Sequence, residues 1–204
     1  MINKWVNKKY LNAQNIKQIR NKFLKAKPYP HFVLKDFLNK NKISELRKAV
    51  LEEQFEKQDM DLFSFYNTKE LKFSNKDILK EFAHLLSSKN FFNLVKKLTN
   101  EKNLENIDMH AHLYKQGDYL LFHDDVVEGR KIAYILYISE GFSAKDGGKL
   151  ELYDVKNPKK PLKSIIPNFN SFLCFKVSKK SLHAVEEVRS DKQRLTIGGW
   201  FYGH

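Results

Sequence analysis

The spacing of the apolar residues changes near Asp108, and this change limits the folds that the chain can adopt. From there onward, short apolar or alternating runs are separated by turn-forming sequences such as QGD, EGR and KDGG. Strand-length runs divided by turn residues are typical of antiparallel sandwiches and barrels. The runs are MHAHLY, DYLLFH, KIAYILYIS, KLELYDV, SFLCFKV, LHAVEEV and RLTIGGWFYG.

Upstream of this region the apolar residues recur mostly at helical spacing, which predicts helices on either side of KPYP and further helices from about residue 75 and about residue 90. Between the first two lies HFVLKDFL, a short strand or extended connector. We expect a single domain over residues 1–204. Residues 1–107 supply mostly helical support, and residues 108–204 form the β-core.

The composition fits a globular protein in a reducing compartment. Hydrophobic residues make up 42% of the chain, and no apolar stretch approaches the ~18 residues that suggest a membrane span. The sequence MINKWVNKKYLNAQ lacks the apolar region of a secretory signal, and the single cysteine, Cys174, cannot form an internal disulfide. We expect a cytoplasmic protein with no membrane partner.

The net charge of +13 is compatible with a nucleic-acid partner. The lysines are scattered along the predicted helices rather than grouped in one block, so they also fit ordinary solvated faces. Charge alone leaves both interpretations open.

Three polar residues, His123, Asp124 and Asp125, stand where the apolar run DYLLF ends. Side chains two residues apart in a strand lie on one face, so we predict that His123 and Asp125 point together and Asp124 points away. With a histidine from a distant strand, they would occupy one face of an octahedral ion, the arrangement that suits non-haem Fe(II). His183, in SLHAV, is the candidate for that histidine.

Arg194 lies 11 residues after His183, in the run RLTI. Strand alternation places Arg194 and Thr196 on one face, and Leu195 and Ile197 on the other. An arginine that points into a barrel needs an anionic partner, because an uncompensated buried charge is costly. A dicarboxylate cosubstrate would supply one through a bidentate pair.

Together these motifs resemble the prolyl-hydroxylase branch of the iron and 2-oxoglutarate dependent oxygenases, and above all the ribosomal-protein prolyl hydroxylases of yeast and animals. The shared features are HDD, EGRKIA, ILY, GGKLELY, a later histidine and RLTIGGWFYG, in that order. With PYPHFVLKDFL, the resemblance covers about residues 28–204. It implies a mainly β fold with bracing α-helices, whose core is a double-stranded β-helix, or jelly roll.

The resemblance also implies a role for each motif residue. His123, Asp125 and His183 would be the catalytic ligands of Fe(II), Arg194 would hold the distal carboxylate of 2-oxoglutarate, and O2 would be the second cosubstrate. Tyr137, in ILYIS, falls where the family places a tyrosine hydroxyl on that carboxylate.

Two further residues are expected in the cosubstrate site. Tyr114 falls where related prolyl hydroxylases place another active-site tyrosine, and Thr196 shares the face of Arg194. Core or rim packing is the alternative for Tyr114 and Tyr137.

The family implies a protein substrate with an exposed proline, such as a small-subunit ribosomal protein. The eukaryotic ribosomal enzymes carry a second β-domain after the GWF segment, whereas the resemblance here covers the domain that contains the motifs. Two alternatives remain open: an oxygenase of another substrate, such as a nucleic acid base or a small molecule, and a non-catalytic metal-binding β-domain.

Other chemically suggestive residues receive a structural interpretation. His110 and His112 share a strand face but lack a positioned carboxylate, so we expect them to be structural or to line the pocket. Asp124 could bond the loop that contains Arg130. Cys174 is expected to be a buried small hydrophobe, and the GG pair before KLELYD to form a tight turn, because no helix start follows it.

Overall fold

A curled antiparallel β-sheet dominates the computed structural model, which describes residues 1–204. Its twelve strands include a path in the order β1-β10-β7-β12-β5-β3-β6-β11-β8-β9, while β2 pairs with β3 and β4 pairs with β12. The strands are β1 (His31–Lys35), β2 (Glu56–Met60), β3 (Phe63–Asn67), β4 (Asn106–Ile107), β5 (His110–Tyr114), β6 (Tyr119–His123), β7 (Arg130–Tyr137), β8 (Leu150–Leu152), β9 (Lys163–Ile165), β10 (Ser171–Lys176), β11 (His183–Val185) and β12 (Arg194–Tyr202).

Five α-helices precede most of the sheet in the chain. Two of them begin at polar side-chain caps: the Asn12 side chain accepts hydrogen bonds from the N–H groups of Gln14 and Asn15, and Ser88 caps the last helix through Phe91 N–H. The helices are α1 (Ile2–Trp5), α2 (Ala13–Lys25), α3 (Lys40–Leu51), α4 (Asp77–Leu86) and α5 (Lys89–Thr99). None of them has the length and apolar composition needed to cross a membrane.

Strand alternation divides the buried residues between two layers. Along β12, Leu195 and Ile197 join the larger core under the helices, whereas Arg194 and Thr196 line a pocket on the opposite face. The larger core is rich in aromatic contacts, including Phe37 stacked on Phe172 with ring centroids 4.3 Å apart. The helices therefore cover one face of the sheet and leave the interior of its curl for the pocket.

This architecture confirms the predicted fold class, a jelly-roll β-core braced by N-terminal helices. The four helices predicted from apolar spacing correspond to α2, α3, α4 and α5, and HFVLKDFL contains strand β1. The prediction overlooked the hairpin of β2 and β3, as well as the short strands β4 and β9. Strand β2 has the sequence EKQDM and is almost entirely exposed, so it carries no apolar alternation.

Candidate active site

Three potential metal ligands meet at the interior of the curled sheet. The ligand atoms of His123, Asp125 and His183 all lie within 4.8 Å of one another. The Asp125 carboxylate lies between the two imidazoles, with one oxygen 3.5 Å from His123 Nε2 and the other 3.4 Å from His183 Nε2. Two neutral imidazole nitrogens and one carboxylate suit a divalent ion such as Fe(II).

Sheet register brings the two histidines together across 60 positions of sequence. Strands β6 and β11 pair antiparallel with His123 directly opposite His183. Side chains directly opposite each other project from the same face of a sheet, and here the two rings have centroids 4.0 Å apart.

Hydrogen bonds to the backbone orient both imidazoles. The Nδ1 of His123 lies 2.9 Å from the carbonyl oxygen of Leu121, and the Nδ1 of His183 lies 2.7 Å from that of Ser181. A carbonyl can only accept, so each Nδ1 carries the proton and each Nε2 presents its lone pair to the centre. Burial, reinforced by the nearby His123 ring, lowers the pKa of His183 to about 4. His183 is therefore neutral at physiological pH and able to bind a metal.

The strand argument for Asp125 was wrong, although the residue does lie beside His123. Strand β6 ends at His123, and Asp125 follows in a left-handed conformation with φ of +64°. Aspartate adopts this conformation more readily than most residues. The tight turn after β6, rather than strand alternation, returns the carboxylate to the histidines.

Asp124 does not join the metal-ligand group. Its carboxylate accepts a hydrogen bond from Val126 N–H at 3.0 Å and so shapes the turn. The hydrogen bond that we expected between Asp124 and the loop near Arg130 is made to Val126, at the start of the loop between β6 and β7.

Ser181 connects the two segments that carry the ligands, a role that the sequence analysis missed. Its hydroxyl lies 2.8 Å from the carbonyl oxygen of Asp124 and 2.6 Å from that of Ser178 and shares its one proton between them, and its own carbonyl accepts a hydrogen bond from His183 Nδ1. The residue is completely buried. A small hydroxyl residue two positions before the candidate histidine was the only signal of this role in the sequence.

Replacement of Ser181 by Ala is expected to weaken metal binding by about tenfold, in line with other residues that orient metal ligands. The loss of the hydroxyl frees the Asp124 carbonyl and loosens the turn that holds Asp125. Titration with Mn²⁺, a redox-stable substitute for Fe(II), measures the change. Ser178→Ala is the matched control, because the Ser178 hydroxyl only accepts from Lys180 N–H within the same turn. Equal affinities in the two variants would contradict the connecting role.

Arg194 is deeply buried, with only 2% of its surface exposed, and it faces the pocket. Its Nε donates to the carbonyl oxygen of Gly148 at 2.8 Å, but its Nη2 has no hydrogen-bond partner in the chain. Gly148 has a φ of +63°, and a Cβ atom there would lie 3.1 Å from Arg194 Cδ. The glycine therefore allows the backbone to approach the arginine and fix the direction of its guanidinium.

Two tyrosines accompany this arginine. The Arg194 guanidinium carbon lies 4.8 Å from the ring centroid of Tyr114 and 5.5 Å from that of Tyr137. The hydroxyl of Tyr137 is buried and has no hydrogen-bond partner, like the Arg194 Nη2. Burial raises the pKa of both phenols to about 12, so each retains its proton as a donor. Thr196, directly opposite both Tyr137 and His112 in the sheet, lines the same pocket.

Unpartnered buried polar atoms are uncommon in folded proteins. The Arg194 N–H and the O–H of the adjacent Tyr137 could both donate to the same carboxylate, and a charged acceptor would also compensate the buried guanidinium. The residues present therefore fit a dicarboxylate such as 2-oxoglutarate, with one end at Arg194 and the other towards the three metal ligands.

A second polar pair in the pocket was not predicted. The guanidinium carbon of Arg130 lies 3.4 Å from the centroid of the Trp200 indole, and both Arg130 Nε and Trp200 Nε1 are buried without hydrogen-bond partners. Trp200 follows Arg194 by six residues, so strand alternation could have placed it on the inward face. Its approach to Arg130 depends on the register of β7 and β12, which the sequence does not reveal.

The two histidines, the cysteine and the glycine pair that we expected to have structural roles lie outside the metal-ligand group. His112 lines the pocket, and burial lowers its pKa to about 3, whereas the Nδ1 of His110 lies 3.2 Å from the carbonyl oxygen of Thr68. Neither belongs to a metal-ligand group. Cys174 is fully buried in the larger core. Gly147 ends a 3₁₀ turn with a φ of +72°, and no helix follows it.

Comparison with protein families identifies a related domain. Residues 109–202 match the 2OG-Fe(II) oxygenase superfamily. Among curated proteins, the chain is 36% identical over 185 residues to the prolyl 3-hydroxylase OGFOD1 of Xenopus laevis, a match that covers 88% of this chain and 36% of the relative. It is 33% identical over 214 residues to the prolyl 3,4-dihydroxylase OGFOD1 of Ostreococcus tauri, covering 93% of this chain and 41% of the relative. The chain thus spans less than half the length of these relatives.

Solved structures share the fold at low sequence identity. A prolyl-4-hydroxylase of Pseudomonas putida superposes with a TM-score of 0.73 at 16% identity, covering 93% of this chain and 99% of that one. A prolyl hydroxylase of Trichoplax adhaerens, solved with a peptide fragment of hypoxia inducible factor, also gives a TM-score of 0.73 at 16% identity, covering 93% and 91% of the two chains.

Proposed function

Since residues 109–202 match the 2OG-Fe(II) oxygenase superfamily, we propose that the chain is an Fe(II)- and 2-oxoglutarate-dependent dioxygenase that hydroxylates a prolyl residue in a protein substrate. The observation that carries the proposal is a pocket lined by a two-histidine, one-carboxylate group and by Arg194, whose Nη2 has no partner and whose neighbour Tyr137 carries a second buried donor without a partner. A non-catalytic metal-binding domain would not need the two buried donors of Arg194 and Tyr137.

When bound, Fe(II) with 2-oxoglutarate and O2 supplies an oxidation that gives succinate and CO2 and inserts one oxygen atom into a substrate C–H bond. The chain contributes binding and orientation. His123, Asp125 and His183 would hold the iron and leave three of its positions open. Arg194 and Tyr137 would bind the distal carboxylate, with Tyr114 and Thr196 beside it.

The environment of the cosubstrate site also limits the entry of water. Arg194, Tyr114, Tyr137 and Thr196 are each no more than 3% exposed. A charge-assisted hydrogen bond is stronger in such a site than in bulk water, because surrounding dipoles screen it less.

Tyr137→Phe is expected to weaken 2-oxoglutarate binding by about 1 to 3 kcal/mol, because the charged acceptor loses one donor. The pocket keeps its shape, since the phenyl ring still packs beside Arg194. The concentration dependence of succinate formation on 2-oxoglutarate measures the effect, and metal affinity should not change. A variant that loses thermal stability but keeps its cosubstrate constant would assign Tyr137 to packing alone.

A peptide substrate is supported by the polar pair of Arg130 and Trp200. Both side chains line the pocket and carry a buried N–H group without a partner, and neither accepts hydrogen bonds, so the pair suits a carbonyl oxygen of a peptide backbone. The curated relatives are named as prolyl hydroxylases, which supports proline as the target.

We extend the proposal to an exposed proline of a small-subunit ribosomal protein. We also propose a cytoplasmic location, which is supported by the single cysteine, because it is free and buried.

Mass spectrometry tests the substrate. The protein is incubated with Fe(II), 2-oxoglutarate and peptides that span exposed proline-containing loops of small-subunit ribosomal proteins, each with a control peptide in which alanine replaces the proline. One added oxygen on proline is expected, with one succinate formed per oxygen. Succinate formation without oxygen on any proline, in peptide or intact protein, would reject the protein substrate and retain the oxygenase, leaving a nucleic acid base or small molecule as its target.

A further inference from the structure

The positive charge of the chain is concentrated at its N-terminal end. Residues 1–35 contain nine Lys and Arg and no Asp or Glu, whereas residues 36–204 contain 28 Lys and Arg and 24 Asp and Glu. A general preference for lysine would raise its frequency throughout the chain but would not remove every acid from one segment. The distribution therefore indicates a local electrostatic feature rather than an overall bias.

Helix α2 presents three of these nine basic residues on one side. Six of its eight exposed residues are polar, and at 100° per residue these six lie within an arc of about 140°. The opposite side carries the buried Phe23 and the half-buried Ile16 and Ile19, which pack against the larger core. We call the exposed polar residues the α2 face: Gln14, Lys17, Gln18, Asn21, Lys22 and Lys25.

The lysines of the α2 face are not neutralised within the protein. No residue of α2 or of the adjacent helix α5 takes part in an ion pair, and α5 adds Lys89, Lys96 and Lys97 without an acid. The first acids that follow β1 and α5 in the chain are engaged elsewhere, since Asp36 pairs with Lys9 and Glu101 with Lys176. Gln18, Asn21, Lys22 and Lys25 line a shallow groove along the helix.

We propose that the α2 face binds the sugar–phosphate backbone of RNA. Lysine, asparagine and glutamine side chains are suitable donors for phosphate oxygens, and such contacts need no apolar anchor. The face extends over about 16 Å at 1.5 Å per residue, enough to contact several successive phosphates.

Other anionic partners fit this surface less well. A helix that lies on a membrane inserts an apolar side into the headgroup region, but the apolar side of α2 is packed against the protein and Leu24 is its one exposed large apolar residue. A protein partner would normally need a buried aromatic or aliphatic anchor, which the α2 face lacks. RNA is favoured over DNA because side-chain amides can both donate to and accept from the 2′-hydroxyl.

The α2 face and the candidate active site occupy opposite sides of the sheet. Helix α2 packs on the core beneath the helices, whereas the pocket lies inside the curl. RNA could therefore bind without closing the pocket, and loss of RNA binding should leave turnover of 2-oxoglutarate intact. The proposal consequently stands or falls independently of the hydroxylase activity.

A charge-matched pair of variants tests the proposal. The first variant replaces Lys17, Lys22 and Lys25 by Gln, which keeps helix propensity. The second variant replaces Lys156, Lys159 and Lys160 by Gln. These three lysines are exposed in the loop between β8 and β9 and form no ion pair. Fluorescence anisotropy measures binding to a labelled 20-nucleotide single-stranded RNA, to DNA of the same sequence and to phosphatidylserine vesicles over a range of salt concentrations.

The wild-type protein is expected to bind the RNA more tightly than the DNA, with binding that weakens as salt increases. In the α2 variant the slope of log K against log salt should be shallower by about 2, since each lost phosphate contact in a single strand contributes about 0.7. The loop variant should bind like the wild type. Equal weakening in both variants, equal affinity for DNA, preference for vesicles or no binding to RNA would each overturn the proposal. Circular dichroism confirms that both variants remain folded.

Discussion

Asp125→Asn is expected to abolish stable Fe(II) binding and, with it, all turnover of 2-oxoglutarate. The substitution removes the single negative charge of the three-residue metal-ligand group and leaves two imidazoles. Asn is a better choice than Ala, because Asp125 has a φ of +64° and Asn tolerates this left-handed conformation. The loss can thus be attributed to the ligand rather than to backbone strain.

Asp124→Asn provides the matched control for this experiment. It removes the same charge one position away, and its amide oxygen can still accept the hydrogen bond from Val126 N–H. We expect this variant to bind iron and to form succinate at nearly the wild-type rate. Iron content after anaerobic loading and succinate formation are the two measurements. Normal iron content and turnover in the Asp125 variant would show that the three-residue group is not the catalytic metal centre.

The sequence predicted the elements whose environment is periodic. Helices such as α4 and α5 have one buried face, and strands such as β7 and β12 bury both faces, so their patterns follow directly from burial. Strand β2 is held by backbone pairing to β3 and by a hydrogen bond of 2.6 Å from Lys57 to Asp118, and it buries none of its residues. Elements that owe their position to such contacts leave no hydrophobic pattern to detect.

Within the candidate site, too, the sequence pattern predicts the position of some residues and not of others. Arg194 and Thr196 could be placed in the interior from strand alternation, because β12 is regular over that stretch. Asp125 could not be placed in this way, since a turn with positive φ follows His123. Ser181 acts through its carbonyl as well as its hydroxyl, and no residue type identifies a backbone contact of this kind.

Arg194→Lys should weaken 2-oxoglutarate binding by about 10- to 100-fold while leaving metal affinity unchanged. Lysine preserves the charge, but it lacks the planar fork that can bind a carboxylate through two parallel hydrogen bonds. It also lacks the Nε that donates to the Gly148 carbonyl, so the buried charge is no longer held in one direction. A hydrogen bond to a charged group contributes about 1.5 to 3 kcal/mol, which corresponds to the expected loss of affinity.

Arg130→Lys separates this effect from a general disturbance of the pocket. Arg130 lines the same pocket and stacks on Trp200, and the same substitution there removes the stacked planar group but leaves Arg194 and Tyr137 in place. We therefore expect the Arg130 variant to keep its 2-oxoglutarate constant and to lose affinity for the peptide substrate. Succinate formation is measured against 2-oxoglutarate concentration in both variants, and Mn²⁺ titration reports metal binding. If the two variants lose cosubstrate affinity equally, Arg194 has no special place at the distal carboxylate. If only Arg194→Lys does so, the Arg194 Nη2 that has no partner within the chain marks where that carboxylate binds.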